Sequence, residues 1–303
     1  METIISRESK VQSQKSEDQR LKTEDQINET LADSGFYWRE KNGVKILVCR
    51  RLEEKGFANG FSARLGGVSP FPENSLNLSG LDIDSAENLA ENQKRFLEVF
   101  GGDYWLASSW QTHGADVRIV KNLDDAKDDN QKFDALISNL ENVLVGVKTA
   151  DCVPVLLGDN RTKAFAAIHA GWRGTAHSIV KNTVEKMRDV YGTNAENLIC
   201  AIGPAASGKN YEVGQDVIEA FEEKFSTCGK LFTKTREGHA LVDLHLANKT
   251  QILSIGVLPE NIFIAPLCTM ERTDLFFSYR VERKVHGKTG RLMSVIGLRK
   301  SRQ

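Results

Sequence analysis

From residue 36 onward the chain is a succession of short apolar runs separated by polar and glycine-rich stretches. Residues 44–49 (VKILVC) predict a first strand. The runs 143–147, 153–157, 164–168 and 198–202 are continuously apolar and rich in β-branched residues, the pattern of strands covered on both faces. Late strands are expected at 262–267 and 292–298. Helical spacing replaces this pattern over 87–100, where Leu89, Phe96, Leu97 and Phe100 share a stripe that stops at Gly101. It returns over 175–191, with Val180, Val184, Met187 and Tyr191 on one face and Gly192 behind them, and again over 214–225 and 243–255. No internal repeat or linker interrupts 36–303, and the alternation is too irregular for a barrel. The expected fold class is α/β: a single domain of mixed α and β structure.

Residues 1–33 have another character. Ile4, Ile5, Val11, Leu21, Ile27 and Leu31 are too sparse among acids, bases and amides to build a core, which predicts a polar, disordered tail or frayed helix ahead of a body at 34–303. The segment has no continuous apolar stretch for a secretory signal, and Glu2, Glu8 and Glu17 do not suit a mitochondrial presequence, so a cytoplasmic location is the default expectation.

Composition narrows the functional classes. A chain of 303 residues can bury a core without disulfides or a structural metal. Its 40 Lys and Arg against 41 Asp and Glu supply no basic field for nucleic acid. No run reaches the roughly 18 apolar residues needed to span a bilayer. Neither nucleic acid nor membrane is an expected partner, and a monomer is favoured. Five cysteines, an odd number with no CxxC pair, point to reduced thiols in a reducing compartment.

Candidate chemistry sits at strand ends. Thr149-Ala150-Asp151-Cys152 follows one apolar run, and Val153-Pro154 forces an extended path into the next, placing Cys152 at a strand junction. The run 164–168 ends in His169-Ala170-Gly171-Trp172-Arg173-Gly174, directly before helical spacing, and His113 precedes Gly114 after another short segment. Two imidazoles and a thiol at three junctions suit zinc, and three protein ligands leave a fourth position open, as catalytic sites do. Separations of 39 and 17 residues match no zinc-finger pattern, so each residue also has a plain structural reading. Gly171, Gly174, Arg173 and the expected helix start form a candidate anion site suited to phosphate, or a tight turn with Trp172 packed inward. Arg64, in the glycine-rich stretch 56–69, is a second candidate cation.

The strings Gln111-Thr112-His113-Gly114-Ala115-Asp116-Val117, Thr149-Ala150-Asp151-Cys152-Val153-Pro154 and His169-Ala170-Gly171-Trp172-Arg173-Gly174 closely resemble the signature motifs of the laccase-domain family. Members of that family carry the labels polyphenol oxidase, purine nucleoside phosphorylase and peptidoglycan editing factor. Phe61 to Ser69, Ser75-Leu76-Asn77-Leu78, Ala201-Ile202-Gly203-Pro204, Tyr211-Glu212-Val213-Gly214, Phe276-Phe277-Ser278-Tyr279-Arg280 and Thr289-Gly290-Arg291 match in the same order. Ala63 stands where a Thr is common, and the first 33 residues have no counterpart.

The resemblance implies a helix-flanked mixed β-sandwich, related to proteins proposed as cysteine hydrolases, with one Zn2+ on His113, Cys152 and His169. It implies phosphorolysis of purine nucleosides (adenosine, inosine, guanosine or methylthioadenosine) with phosphate, alongside adenosine deamination. Arg64, Asn77 and Arg173 are then the expected substrate-binding residues, with Ser278, Tyr279 and Arg280 as further pocket lining. Cys152 and His169 are expected to be catalytic, and Asp151 either moves a proton or holds neighbouring backbone. Copper fits less well: a multicopper oxidase draws on many imidazoles, including His-x-His pairs, and the chain has six His with no such pair. A cysteine hydrolase using Cys152 as nucleophile, removal of a misincorporated serine from a cell-wall precursor, and a non-enzymatic scaffold are the alternatives. Cys49, Cys200 and Cys228 read as buried hydrophobes, and Cys268, beside Thr269 at an expected strand end, is not assigned to the site.

Overall fold

The structure is a computed structural model that describes residues 24–80, 83–101, 103–225 and 228–299. Two six-stranded sheets face each other across a shared core. The first contains, in spatial order, Phe36–Lys41, Val44–Cys49, Phe57–Ser62, Leu292–Leu298, Val143–Thr149 and Trp105–Ala107. The second contains Ile262–Ile264, Leu198–Ile202, Val153–Asp159, Phe165–Ala170, Ala135–Ser138 and Val117–Ile119.

The period of two along each strand decides which layer a side chain joins. Leu156, Phe165 and Ala167 point between the sheets, where they meet Val145, Val147 and Ile296 of the first sheet. Their neighbours Val155, Leu157, Ala166 and Ile168 point outward to Val180 and Met187 of the helix Ile179–Tyr191 and to Ala247 and Ile252 of the helix Leu244–Ser254. On the far side, Ile46, Val48 and Val295 pack on Phe96 of the helix Ala86–Glu98. The strands are thus apolar on both faces because a helix covers one and the other sheet covers the second. The molecule is the helix-flanked mixed β-sandwich that the family resemblance implies.

Two expectations need correcting. Residues 24–33 are no tail: they form the helix Glu24–Asp33, whose Ile27 and Leu31 are buried in the inter-sheet core beside Phe36 and Leu275. Two apolar residues four apart suffice to dock a short helix on an already formed core, so sparse apolar content was a poor guide there. The expected tail over 1–23 and the burial of Cys228 lie outside the described residues. The helix expected over 175–191 is in fact two, Trp172–Ala176 and Ile179–Tyr191, broken at Ser178 with φ 60. Gln251 Nε2 donates to the Thr175 carbonyl at 2.7 Å and Asn248 Nδ2 to the Thr175 hydroxyl at 3.1 Å, so tertiary bonds take the place of the continuing helix ladder.

Strand direction explains why the candidate residues converge. Trp105–Ala107 runs parallel to Val143–Thr149, so both strands leave the first sheet at the same end. From there the chain crosses to the second sheet twice, once through the loop carrying His113 and once through the turn carrying Cys152. On the second sheet, Ala135 pairs with Ile168 and Val153 with Ala170, which brings Asp134, Cys152 and His169 to that same end.

Candidate metal centre

Cys152 and His169 share a side for a reason written in the register. Cys152 has the parity of inward-facing Leu156, His169 has that of inward-facing Ala167, and Pro154 pairs with His169 across the ladder. Both therefore sit on the inter-sheet face, at its open end. His113 arrives from the other crossing with φ 62, and its ring meets that of His169 edge-on at 4.8 Å. One ligand atom from each of His113, Cys152 and His169 lies within 4.8 Å of the others. The three residues expected to bind metal are brought together, and they could hold one ion.

The loop that presents His113 is held by groups on other strands. Asp134, 1% exposed, accepts from the backbone N–H of Thr112, His113 and Gly114 at 3.2, 3.0 and 2.7 Å. Its Oδ1 lies 2.7 Å from His169 Nδ1. One carboxylate thus fixes the left-handed turn at His113 and the ring orientation of His169, leaving the other imidazole nitrogen of His169 for a metal, an arrangement common behind metal-bound histidines. Gln111 behaves like an added strand residue, donating from Nε2 to the Lys148 carbonyl and accepting from the Lys148 N–H, both at 2.7 Å.

The glycines of the HAGWRG segment serve close approach. A Cβ on Gly171 would lie 3.1 Å from His113 Cδ2 and 3.2 Å from Cys152 Sγ, so a side chain there would intrude on the donors. A Cβ on Gly174 would lie 2.8 Å from the Gly114 carbonyl, so its absence lets the two histidine loops touch.

Charge reinforces the geometry. Burial pushes the Cys152 thiol up, but the His169 charge and hydrogen bonds from His113 and His169 outweigh it, and the thiol falls to about 6. Burial opposes charge on His169 too, yet the Cys152 charge and the bond to Asp134 raise that imidazole to about 9. The Asp134 carboxyl, against burial, is held below the usual range by its bond to His169. A thiolate ready near neutral pH is the form that metals bind. Cys49 and Cys200 differ: both are buried, and burial raises the Cys49 thiol to about 11 and the Cys200 thiol further. Cys268 is buried as well, and its sulfur accepts from the Ser207 N–H at 3.3 Å.

Other expected site residues fall differently. Asp151, in the crossing turn with φ 86, is buried and accepts from the Thr269 hydroxyl at 2.7 Å, the Ser278 hydroxyl at 3.1 Å and the Arg280 N–H at 2.7 Å. Burial pushes its carboxyl upward while those donors pull it back. Its first task is to tie the segments 269 and 278–280 to the Cys152 turn. Arg64 is not a free cation: its Nη1 lies 2.9 Å from Glu282 Oε1 and also donates to the Thr273 carbonyl at 2.5 Å, with the guanidinium 4.6 Å above the Phe277 ring. Asn77 accepts the Arg291 N–H at 2.9 Å and the Ser79 N–H at 3.3 Å, a turn-holding pattern. Arg173 is exposed, its guanidinium 4.2 Å over the Trp172 ring, at the start of a helix of only five residues. The helix expected behind Arg173 thus begins as a short segment that ends at Ala176. Tyr279 is exposed at the start of the helix Tyr279–His286.

Sequence reasoning missed Asp134 and the strand Ala135–Ser138 behind it. A signal was available: a single acid interrupts the apolar run Phe133-Asp134-Ala135-Leu136-Ile137, and an acid entering a covered strand needs partners.

Fold and site together define a two-histidine, one-cysteine centre at the open end of a helix-flanked β-sandwich. The chain belongs to the family described as "Multi-copper polyphenol oxidoreductase laccase", whose model matches residues 58–299. It is 35% identical over 249 residues to a Staphylococcus epidermidis protein named "Purine nucleoside phosphorylase", covering 78% of this chain and 90% of that one. Identity is 34% over 256 residues to "Purine nucleoside phosphorylase YfiH" of Escherichia coli, covering 84% and 99%. The crystal structure of Bacillus licheniformis hypothetical protein YfiH superposes with a TM-score of 0.79 at 29% identity, covering 86% of this chain and 98% of that one.

Proposed function

We propose that the chain is a zinc-dependent purine nucleoside phosphorylase, taking adenosine, inosine, guanosine or methylthioadenosine with phosphate and deaminating adenosine as a side activity. The observation that carries the reading is the convergence of His113, Cys152 and His169 within 4.8 Å. The names of the relatives at 35% and 34% identity point to the same reaction. The donor set suits zinc, with one thiolate, two imidazoles and Gly171 leaving the space between them clear of any side chain. A bound zinc would supply Lewis acidity towards an oxygen and lower the pKa of a bound water, the second being what deamination needs. The residues do the rest by placement: Asp134 holds His169 in one orientation, and the Asp134 and Gln111 bonds keep the His113 loop from relaxing.

The test is metal analysis together with base release from inosine and adenosine, with and without phosphate, for wild type and Cys152→Ala. About one zinc per chain and phosphate-dependent release that the substitution abolishes are expected. Substoichiometric metal, or turnover indifferent to Cys152→Ala, would overturn the reading.

A second reading rests on the order Cys152, His169, Asp134, which is also that of a thiolate nucleophile, its imidazole base and an orienting carboxylate. A metal-stripped protein that accumulates an acyl-thioester on Cys152 would favour this cysteine hydrolase. Activity lost on stripping and regained with zinc would exclude it.

A further inference from the structure

Arg64 is paired to Glu282, and Arg173 lies exposed over Trp172, so neither expected cation is both shielded and unpaired. A third arginine is half-buried, anchored and without a carboxylate partner among the described residues. We infer that Arg280, backed by Tyr211, is the residue that receives the phosphate co-substrate beside the metal centre. This rests on the phosphorolytic reading above.

Arg280 is anchored at both ends of its length. Its backbone N–H donates to Asp151 Oδ2 at 2.7 Å, which ties it to the residue next to Cys152. Its Nη1 donates to the Glu212 carbonyl at 2.9 Å, and the guanidinium lies 4.6 Å above the Tyr211 ring. Yet among the described residues no carboxylate oxygen comes within 4.0 Å of that guanidinium, whereas Arg64 has one at 2.9 Å. The stem is fixed and the charge is left without an ion-pair partner, which describes a cation organised in advance for an anion that arrives later. A guanidinium has five N–H groups, and its planar fork fits two oxygens of one phosphate.

Tyr211 belongs to the same cluster by contact: Arg280 lies over its ring, and the Arg280 N–H is bonded to Asp151, the residue that precedes Cys152. Arg280 is half-buried, so it is at once shielded and reachable. The position also accounts for Asp151, whose carboxylate holds the first turn of the helix Tyr279–His286 and with it the base of Arg280. Asp151 is then a positioning residue that acts through Arg280.

The chemistry needs such a cation. In phosphorolysis an oxygen of hydrogenphosphate bonds to C1′ of the ribose while the bond from C1′ to the base nitrogen breaks. The electron pair leaves with the base, which takes up the proton that the phosphate gives up. A dianion approaching a thiolate-bearing site is repelled unless a fixed positive charge stands beside it.

The test uses the metal-loaded protein, with wild type, Arg280→Gln, Arg280→Lys and, as a surface-charge control on the same helix, Arg283→Gln. Steady-state phosphorolysis of inosine is measured against phosphate and against inosine, and inorganic phosphate binding is measured by calorimetry. Arg280→Gln is expected to raise the phosphate KM by about tenfold or more, the scale of one lost charge-assisted contact, with metal content and the inosine KM unchanged. Arg280→Lys should recover part of that loss, and Arg283→Gln should match wild type. An unchanged phosphate KM, or equal rises in both KM values, would overturn the inference. If wild type releases base without any need for phosphate, it is the phosphorolytic reading that fails. Calorimetry then decides the binding claim alone: phosphate bound equally by wild type and Arg280→Gln would overturn it, and phosphate lost with Arg280→Gln would sustain it.

Discussion

Asp134 Oδ1 sits 2.7 Å from His169 Nδ1 while the same carboxylate accepts three consecutive N–H groups of the loop that carries His113. One buried side chain therefore orients two of the three candidate metal donors. Replacing it with Asn keeps the volume but removes the charge and half of the acceptor capacity. Asp134→Asn should lower metal affinity by about 10–100-fold, read by competition with a chromophoric chelator.

Gly171 gives a sharper test of the donor cluster. Its φ of -66 suits any residue, so alanine costs no backbone strain there. The added methyl would nonetheless lie 3.1 Å from His113 and 3.2 Å from Cys152. Gly171→Ala should leave the circular dichroism of the fold intact while metal content falls well below that of wild type.

The thiol values predict a reactivity order. With the metal stripped, Cys152 is ionised above pH about 6, whereas Cys49 ionises only near 11. Iodoacetamide at pH 7 should label Cys152 first, with the rate falling as the pH drops through about 6 because the thiolate is then protonated. Restoring zinc should protect it. Metal retention should be lost only at lower pH, since a bound ion holds the thiolate against protonation.

The Arg64–Glu282 pair is buried on both sides. Glu282→Gln leaves Arg64 charged without its counter-ion and also weakens the bonds that Glu282 accepts from the Ser278 N–H and the Thr289 hydroxyl. The expected cost is about 3–5 kcal/mol of stability, seen in urea denaturation. Were Arg64 instead mainly a phosphate ligand, phosphate binding would suffer and stability would not.

Leu31→Ala probes the docked N-terminal helix. Leu31 is fully buried against the inter-sheet core, so truncation should cost about 2–5 kcal/mol. A loss under about 0.5 kcal/mol, the scale of surface substitutions, would show that the helix is not packed in solution.

What the sequence disclosed and what it hid follow one physical rule. His113, Cys152 and His169 were legible because each lies near the end of a short segment within a motif that resembles a known family, and strand ends are where sheets gather functional residues. The sandwich strands were legible because burial on both faces leaves continuous apolar runs. Asp134 was missed and the ion pair of Arg64 was hidden because both depend on partners distant in sequence, His169 for one and Glu282 for the other. The break at Ser178 was hidden for the same reason: Val180, Val184 and Met187 keep helical spacing, but Asn248 and Gln251 on another helix end the first segment.

The two crossings described above have a mechanical meaning. His113 hangs from one, Cys152 from the other, and His169 belongs to the second sheet itself. An ion shared by the three would act as a rivet through two plates, and its coordination would gauge how the plates are aligned. Asp134 already ties the His113 loop to the second sheet and Gln111 ties it to Lys148 of the first, so such an ion would sit where the two plates are stitched together by the chain's own bonds.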